Sequence, residues 1–158
     1  MVMKYTAVFL IGFLSCAVLF YGLSYSNVEV PFATGLVSLN TESPSDWVDE
    51  DDIILFGDHI ELRIANATLS NYAPTGSMKP LFDKGANGIR VRPSRAEDIS
   101  IGDIISFQQN GVMIVHRVVE AGEDSEGIYF VTQGDNNIIS DGKVMFKDIE
   151  WVTVGVIW

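Results

Sequence analysis

The feature that most constrains the fold is an apolar stretch near the N-terminus, residues 5–25. It contains no Asp, Glu, Lys, Arg or His and is dominated by Val, Phe, Leu, Ile and Ala. At about 1.5 Å per residue, a helix of this length crosses the roughly 30 Å hydrocarbon core of a bilayer. We therefore expect a transmembrane anchor. The alternative is a cleaved signal peptide, but the apolar core is longer than the usual core of such a peptide.

Charges on either side of this stretch predict its orientation. Lys4 precedes it, whereas residues 26–61 contain no Lys or Arg. Basic residues remain on the cytoplasmic side of a membrane, so residues 1–4 are expected to be cytoplasmic and the rest extracytoplasmic. We expect a single-pass protein of the cell membrane or of the endoplasmic-reticulum membrane. Cys16 is the only cysteine and lies in the anchor, so no internal disulfide can form.

The segment after the anchor is strongly acidic. The chain has a net charge of −11, and residues 26–61 hold nine of its 21 acidic residues. This composition is typical of a solvated spacer and predicts an acidic extracytoplasmic connector over residues 26–58. A calcium loop is the alternative, but the glycine and the ligand spacing of an EF-hand are missing. The negative charge argues against nucleic-acid binding, which needs a basic surface.

Residues 59–158 have the pattern of a mainly β domain. Ile60, Leu62 and Ile64 alternate with other residues, which predicts a half-buried strand. Asn110 and Gly111 tolerate positive φ and lie between two apolar runs, so they predict a β-hairpin. We also expect strands within residues 89–92, 103–109, 112–121, 128–133 and 151–158, and helical turns within residues 93–99 and 144–148.

Ser77 is the candidate nucleophile. Gly76 precedes it, and Pro74 and Pro80 stiffen the chain on its two sides. A serine hydroxyl needs a base within hydrogen-bond reach and donors for the oxyanion that forms after attack. Thr75 offers a second hydroxyl two residues away. Taken alone, these residues fit an ordinary turn as well as a catalytic site.

A candidate base comes later in the chain. In an extended strand, His116 shares a face with Ile114 and Val118, so it interrupts an otherwise apolar face. A histidine satisfied within the core is the alternative. Two aspartates follow: Asp135 lies in a predicted turn, residues 134–137, and Asp141 comes shortly after it.

The order of these motifs resembles that of the type I signal peptidases. The similarity covers about residues 71–158 and is closest to the archaeal and endoplasmic-reticulum branch, in which histidine replaces the lysine of bacterial enzymes. It implies a signal-peptidase-like, β-rich catalytic domain over residues 59–158, behind the anchor. The motif residues that carry it are Ser77, Gly102, Asp103, His116, Arg117, Gly134, Asp135, Asn136, Asn137 and Asp141.

The resemblance implies roles for five residues. Ser77 attacks the scissile carbonyl, and His116 acts as general base and then as general acid. Asp141 holds the imidazole in the useful tautomer, while Asp135 falls on a motif residue and either organises the turn or takes that role itself. Thr75 and the backbone amide of Ser77 bind the oxyanion. No metal and no cofactor is implied.

The resemblance also implies partners. Substrates in this family are secretory preproteins that bind as an extended strand, with small residues at the first and third positions before the cut. Membrane lipid and the translocation machinery are the other expected partners. In the family the nucleophile follows the anchor closely, whereas here about fifty residues separate residue 25 from Ser77.

Three other hypotheses fit the sequence less well. The first is Ser-Lys chemistry, although no lysine stands at the position of His116. The second is a metal hydrolase that uses His116, Asp135 and Asp141, although this set lacks a recognised ligand spacing. The third is a non-catalytic, membrane-tethered β module that binds partner proteins. The lysines available to the first hypothesis are Lys79, Lys84, Lys143 and Lys147.

Overall fold

The structure, a computed structural model, describes residues 41–158. The predicted cytoplasmic N-terminus at residues 1–4, the anchor at residues 5–25 and the first part of the connector lie outside the described residues. Within residues 41–158, no helix has both the length and the apolar composition needed to cross a bilayer.

The described chain is β-rich, as the sequence predicts, and its strands pair antiparallel. Seven strands form one sheet in the order β3-β4-β9-β5-β6-β7-β8, and β1 and β2 form a separate two-stranded sheet. Three short 3-10 helices complete the described elements, and two of them lie within the predicted helical turns. The strands are β1 (Ile53–Leu55), β2 (Ile60–Leu62), β3 (Thr68–Asn71), β4 (Asn87–Val91), β5 (Ile104–Gln109), β6 (Val112–Asp124), β7 (Gly127–Gln133), β8 (Lys143–Met145) and β9 (Ile149–Ile157); the helices are Glu50–Asp52, Ala96–Asp98 and Phe146–Asp148.

The predicted hairpin is confirmed as the β5–β6 pair. Asn110 and Gly111 form its two-residue loop with φ of 53° and 77°, and positive φ at both positions is what a type I′ turn requires. A two-residue loop fixes the register, so Ile105 pairs with His116. The turn chemistry therefore places the candidate base at a defined position in the sheet.

Two clusters of buried apolar side chains support the sheet, and the smaller one lies beneath the candidate nucleophile. Met78, the residue after Ser77, is buried there. Because Met78 is fixed in the core, the backbone of Ser77 is held against the sheet. The smaller cluster consists of Met78, Phe82, Ala86 and Ile104; the larger one consists of Ile99, Ile105, Phe107, Val118, Phe130, Val144, Ile149 and Val152.

The strand that forms, β2, differs from the half-buried strand predicted over residues 60–64. β2 ends at Leu62, and Ile60 and Leu62 are 63% and 43% exposed. β2 pairs only with β1 in the two-stranded sheet, where Ile53 lies opposite Leu62. In the part of the chain that the structure describes, no further layer covers this face. Alternation predicted the strand, but not whether another element packs on it.

Part of the acidic connector packs on the main sheet, unlike the solvated spacer predicted for it. The backbone N–H of Ser45 donates to Asp103 Oδ1 at 2.7 Å, and Trp47 packs against the larger cluster. The other carboxylate oxygen of Asp103 accepts from Ser100 N at 2.9 Å. Asp103 thus caps its turn and also binds the connector.

Candidate active site

The candidate base is held by an aspartate from a loop. Nδ1 of His116 lies 2.6 Å from Oδ2 of Asp141, which follows β7. Both side chains are largely buried, with 9% and 14% of their areas exposed. An ionised carboxylate only accepts hydrogen bonds, so this contact places the proton on Nδ1 and leaves Nε2 as an acceptor. That tautomer is the one a general base needs.

Thr132 on β7 supports the same carboxylate. Its hydroxyl donates to Asp141 Oδ2 at 2.8 Å, and its carbonyl accepts from the backbone N–H of Asp141, also at 2.8 Å. Thr132 is fully buried. Thr132 is not among the site residues predicted from the sequence. The signal available for it is a hydroxyl on the same strand face as Phe130, since that face packs in the core.

The nucleophile segment is held by short-range contacts. Oγ of Ser77 lies 3.1 Å from Oγ1 of Thr75, and the backbone N–H of Ser77 is 3.4 Å from the same hydroxyl. The backbone N–H of Gly76 donates to Asp83 Oδ1 at 3.2 Å. A hydrogen bond from Lys79 holds the pKa of the Asp83 carboxyl below its ordinary value. Asp83 is therefore an anionic acceptor at neutral pH that fixes the loop before Ser77.

Ser77, in the segment after β3, and His116, on β6, line the same cavity of about 420 Å³. Three other strands separate β3 from β6 in the sheet. Within residues 41–158, no direct hydrogen bond joins the two side chains; such bonds often form only when substrate binds. A Cβ atom built on Gly134 would lie 2.7 Å from the Ser77 carbonyl oxygen and 2.9 Å from His116 Nε2. Glycine is thus required where this turn passes between nucleophile and base.

The second candidate aspartate lies elsewhere. Asp135 forms a bidentate ion pair with Arg117, at 2.8 Å for each contact, and both side chains are nine-tenths buried. Arg117 also donates to the carbonyl oxygens of Gly102 and Glu42 at 2.9 and 3.2 Å. From the resemblance, Asp135 is expected to organise its turn or to orient the histidine. Its carboxylate instead faces Arg117, on the opposite side of β6 from His116.

Two of the lysines considered for Ser-Lys chemistry form ion pairs. Lys79 Nζ lies 3.1 Å from Asp83, and Lys143 Nζ lies 2.7 Å from Asp124. The hydrogen bond to Asp124 raises the pKa of Lys143 above its ordinary value, which favours the protonated form over the free base.

The ligand set of the metal hypothesis does not converge. His116 and Asp141 are adjacent, but Asp135 binds Arg117. Among residues 41–158, no three His, Cys, Asp or Glu side chains are grouped so as to hold a metal ion.

Comparison with known proteins finds relatives of one kind. Human signal peptidase complex catalytic subunit SEC11C is 35% identical over 81 residues, which cover 49% of this chain and 42% of the relative. The SEC11 subunit of Scheffersomyces stipitis is 35% identical over 69 residues, covering 42% and 40%. A human protein named as the SEC11B form is 37% identical over 82 residues, covering 49% and 48%.

These relatives confirm the resemblance predicted from the motifs: homologues of this chain are catalytic subunits of the endoplasmic-reticulum type of signal peptidase. The identity is moderate, and the chain spans about half the length of the curated relatives it matches or less. No family model matches the chain, and no solved structure matches it.

Proposed function

Because homologues of this chain are catalytic subunits of signal peptidases, we propose that it is a membrane-bound serine endopeptidase that removes N-terminal signal peptides from secretory preproteins. The observation that carries the proposal is the shared cavity of Ser77 and His116, with Asp141 bound to the far nitrogen of the imidazole. A hydroxyl, a neutral imidazole and a carboxylate in this order are the parts of a serine hydrolase.

In the proposed mechanism, Ser77 Oγ attacks the scissile carbonyl carbon while its proton passes to His116 Nε2. Asp141 stabilises the imidazolium that results, because its carboxylate already accepts from Nδ1. His116 then gives the proton to the leaving amine, and the signal peptide remains bound to Ser77 as an ester. A water molecule, deprotonated by the same imidazole, hydrolyses that ester.

The oxyanion is assigned to the backbone N–H of Ser77 and the hydroxyl of Thr75. Both groups lie at the cavity beside the attacking oxygen. Within the described chain, the N–H of Ser77 makes only a long contact of 3.4 Å with the Thr75 hydroxyl. Because this bond is weak, the N–H is readily available to the developing oxyanion. Donors aimed in advance at this position stabilise the charge that forms in the transition state.

The sheet offers an unpaired strand edge for an extended substrate. β6 pairs with β5 from Val112 onward, but its pairing with β7 begins only at Arg117. Residues 112–116 therefore have one free edge in the described chain, and they line the cavity that contains Ser77. A peptide that adds to this edge as a strand has its backbone hydrogen bonds satisfied and its scissile bond near the nucleophile.

Location and partners follow from the same proposal. The predicted anchor at residues 5–25 holds the protein in the cell membrane or the endoplasmic-reticulum membrane, with residues 59–158 on the extracytoplasmic side. The relatives are named as subunits of a complex, so we include partner subunits and membrane lipid with the preproteins. The non-catalytic β module that binds partner proteins is the alternative.

The proposal is tested with detergent-solubilised protein and a panel of tagged preproteins, whose cut sites are sequenced. Cleavage at one bond after the signal peptide is expected from the wild type and not from Ser77→Ala. The melting temperatures of the two proteins should agree within a few degrees, since Ser77 is only partly buried. Binding of preproteins without any cleavage supports the β module instead.

A second test concerns selectivity for the residue before the cut. The cavity that contains Ser77 is lined in part by the buried residues Met78 and Phe82. In the proposed function, the subsite for the residue before the cut accepts only a small side chain, so alanine fits and phenylalanine overfills it. We expect replacement of alanine by phenylalanine to lower kcat/KM at least about 100-fold. Equal cleavage of both substrates contradicts the signal-peptidase assignment and leaves a general serine protease.

A further inference from the structure

One loop contacts both the nucleophile and the base. Residues 134–141 follow β7, and Asp141 at the end of this loop binds His116. At its start, the turn of residues 134–137 is closed by a hydrogen bond of 2.8 Å from Asn137 N to Gly134 O. This turn lies against the segment that carries Ser77. The loop therefore sets the position of Ser77 relative to His116.

Asn136 makes the contact with the nucleophile segment. Its backbone N–H donates to the carbonyl oxygen of Ser77 at 2.8 Å. Its side-chain Nδ2 donates to the carbonyl oxygen of Gly76 at 3.1 Å. Two donors of one residue thus hold two consecutive carbonyl groups, although 60 positions separate Asn136 from Gly76 in the sequence.

The hydrogen bond from the Asn136 side chain affects the oxyanion site through the geometry of the peptide group between Gly76 and Ser77. The carbonyl of Gly76 and the N–H of Ser77 belong to one planar, trans peptide group, so they point in opposite directions. Fixing the carbonyl on one side therefore fixes the direction of the N–H on the other. That N–H is the backbone donor assigned to the oxyanion.

We propose that Asn136 is a positioning residue that aims the Ser77 N–H at the oxyanion by holding the Gly76 carbonyl. The inference rests on the proposed function and adds a residue that has no individual role in the sequence pattern. Asn136 itself does not touch the reacting atoms. Its contribution is realised in the transition state, where charge develops on the oxygen, rather than in ground-state binding.

The test is the full-length Asn136→Ala variant, which keeps the backbone bond to Ser77 and removes only the side-chain bond to the Gly76 carbonyl. That carbonyl then keeps only the longer bond of 3.3 Å from the backbone N–H of Lys79. We expect kcat to fall about 10- to 100-fold with KM changed less than about threefold. A peptide aldehyde forms a hemiacetal whose oxygen occupies the oxyanion position, so its affinity should fall by the same factor as kcat. A merely structural residue does not produce this matched loss.

Ser140→Ala is the matched control, because Ser140 is exposed on the same loop and its side chain makes no hydrogen bond within the described residues. It should retain the kcat, KM and aldehyde affinity of the wild type. If Asn136→Ala does not fold, Asn136→Asp keeps the size of the side chain and places an acceptor against the carbonyl, with an equal or larger loss expected.

The outcomes distinguish this inference from the proposed function. Wild-type cleavage that persists unchanged in Asn136→Ala overturns the positioning role alone. A loss confined to KM, or a loss of melting temperature without a change in aldehyde affinity, also overturns it. Absence of cleavage in the wild type, with Ser77→Ala no different, overturns the proposed function and the inference with it.

Discussion

His116 and Arg117 are neighbours on β6 that point to opposite faces of the sheet, and each binds an aspartate from the loop after β7. Both pairs are largely buried. Within residues 41–158, the hydrogen bonds of Arg117 go to the Asp135 carboxylate and to main-chain carbonyls, and Arg117 does not line the cavity that contains Ser77. His116 instead binds its aspartate through one nitrogen and lies at the cavity that contains Ser77. In the proposed mechanism, a buried pair therefore supports structure on one face and chemistry on the other.

The largest effect should come from breaking the pair on the cavity side. His116→Ala removes the only assigned base, so we expect kcat to fall about 10⁴- to 10⁶-fold. The loss of stability should be smaller than that from breaking the Arg117–Asp135 pair, since Asp141 still accepts from Thr132. Preprotein cleavage and thermal unfolding measured on the same sample check this. A variant that keeps its activity refutes the role of His116 as base.

On the opposite face of the sheet, breaking the ion pair should mainly lower the free energy of unfolding. Arg117→Leu leaves the buried carboxylate of Asp135 without its partner, and breaking a buried pair in this way costs about 3–5 kcal/mol in the free energy of unfolding. Urea denaturation measures the loss. The double variant Arg117→Leu with Asp135→Leu removes both charges and should recover most of it. A single variant as stable as the wild type contradicts the structural role of this pair.

A smaller substitution tests how Asp141 is held on the cavity side of the sheet. Thr132→Val keeps the shape of the buried side chain and removes its hydrogen bond to Asp141. The carboxylate is then oriented by His116 and by its own backbone alone, and we expect kcat to fall about tenfold, in line with the loss of a hydrogen bond to a charged group. Steady-state kinetics over a range of substrate concentrations separates this from a change in KM. An unchanged kcat shows that Thr132 is not needed to orient Asp141.

Local chemistry made parts of this fold predictable. The Asn110-Gly111 loop determines its own hairpin because few other residues adopt positive φ at two successive positions. The face that His116 shares follows from the alternation of side chains along a strand. The partner of Nδ1, by contrast, was expected only from the resemblance to signal peptidases, because Asp141 and Asp135 both lie on the same loop.

What could not be predicted depends on long-range register and on packing. The pairing of β6 with β7 shifts register between Val118 and Glu120. The alternation in β6 alone also does not show which aspartate meets Arg117. Composition also does not predict that Trp47 packs on the core, because its neighbours in the sequence are acidic. The contacts of Asn136 with residues 76 and 77 join distant segments, and its sequence context indicated only a turn.

The most direct test of the account measures kcat and melting temperature together for Asp141→Asn and Asp135→Asn. Each substitution keeps the size of its side chain and removes one charge. Asp141→Asn should lose about 10⁴-fold in kcat at nearly wild-type stability, because an amide favours the wrong imidazole tautomer and does not stabilise imidazolium. Asp135→Asn should lose stability and keep most of its kcat. Full activity in Asp141→Asn beside an inactive, normally stable Asp135→Asn contradicts the account and makes Asp135 the catalytic partner of the histidine.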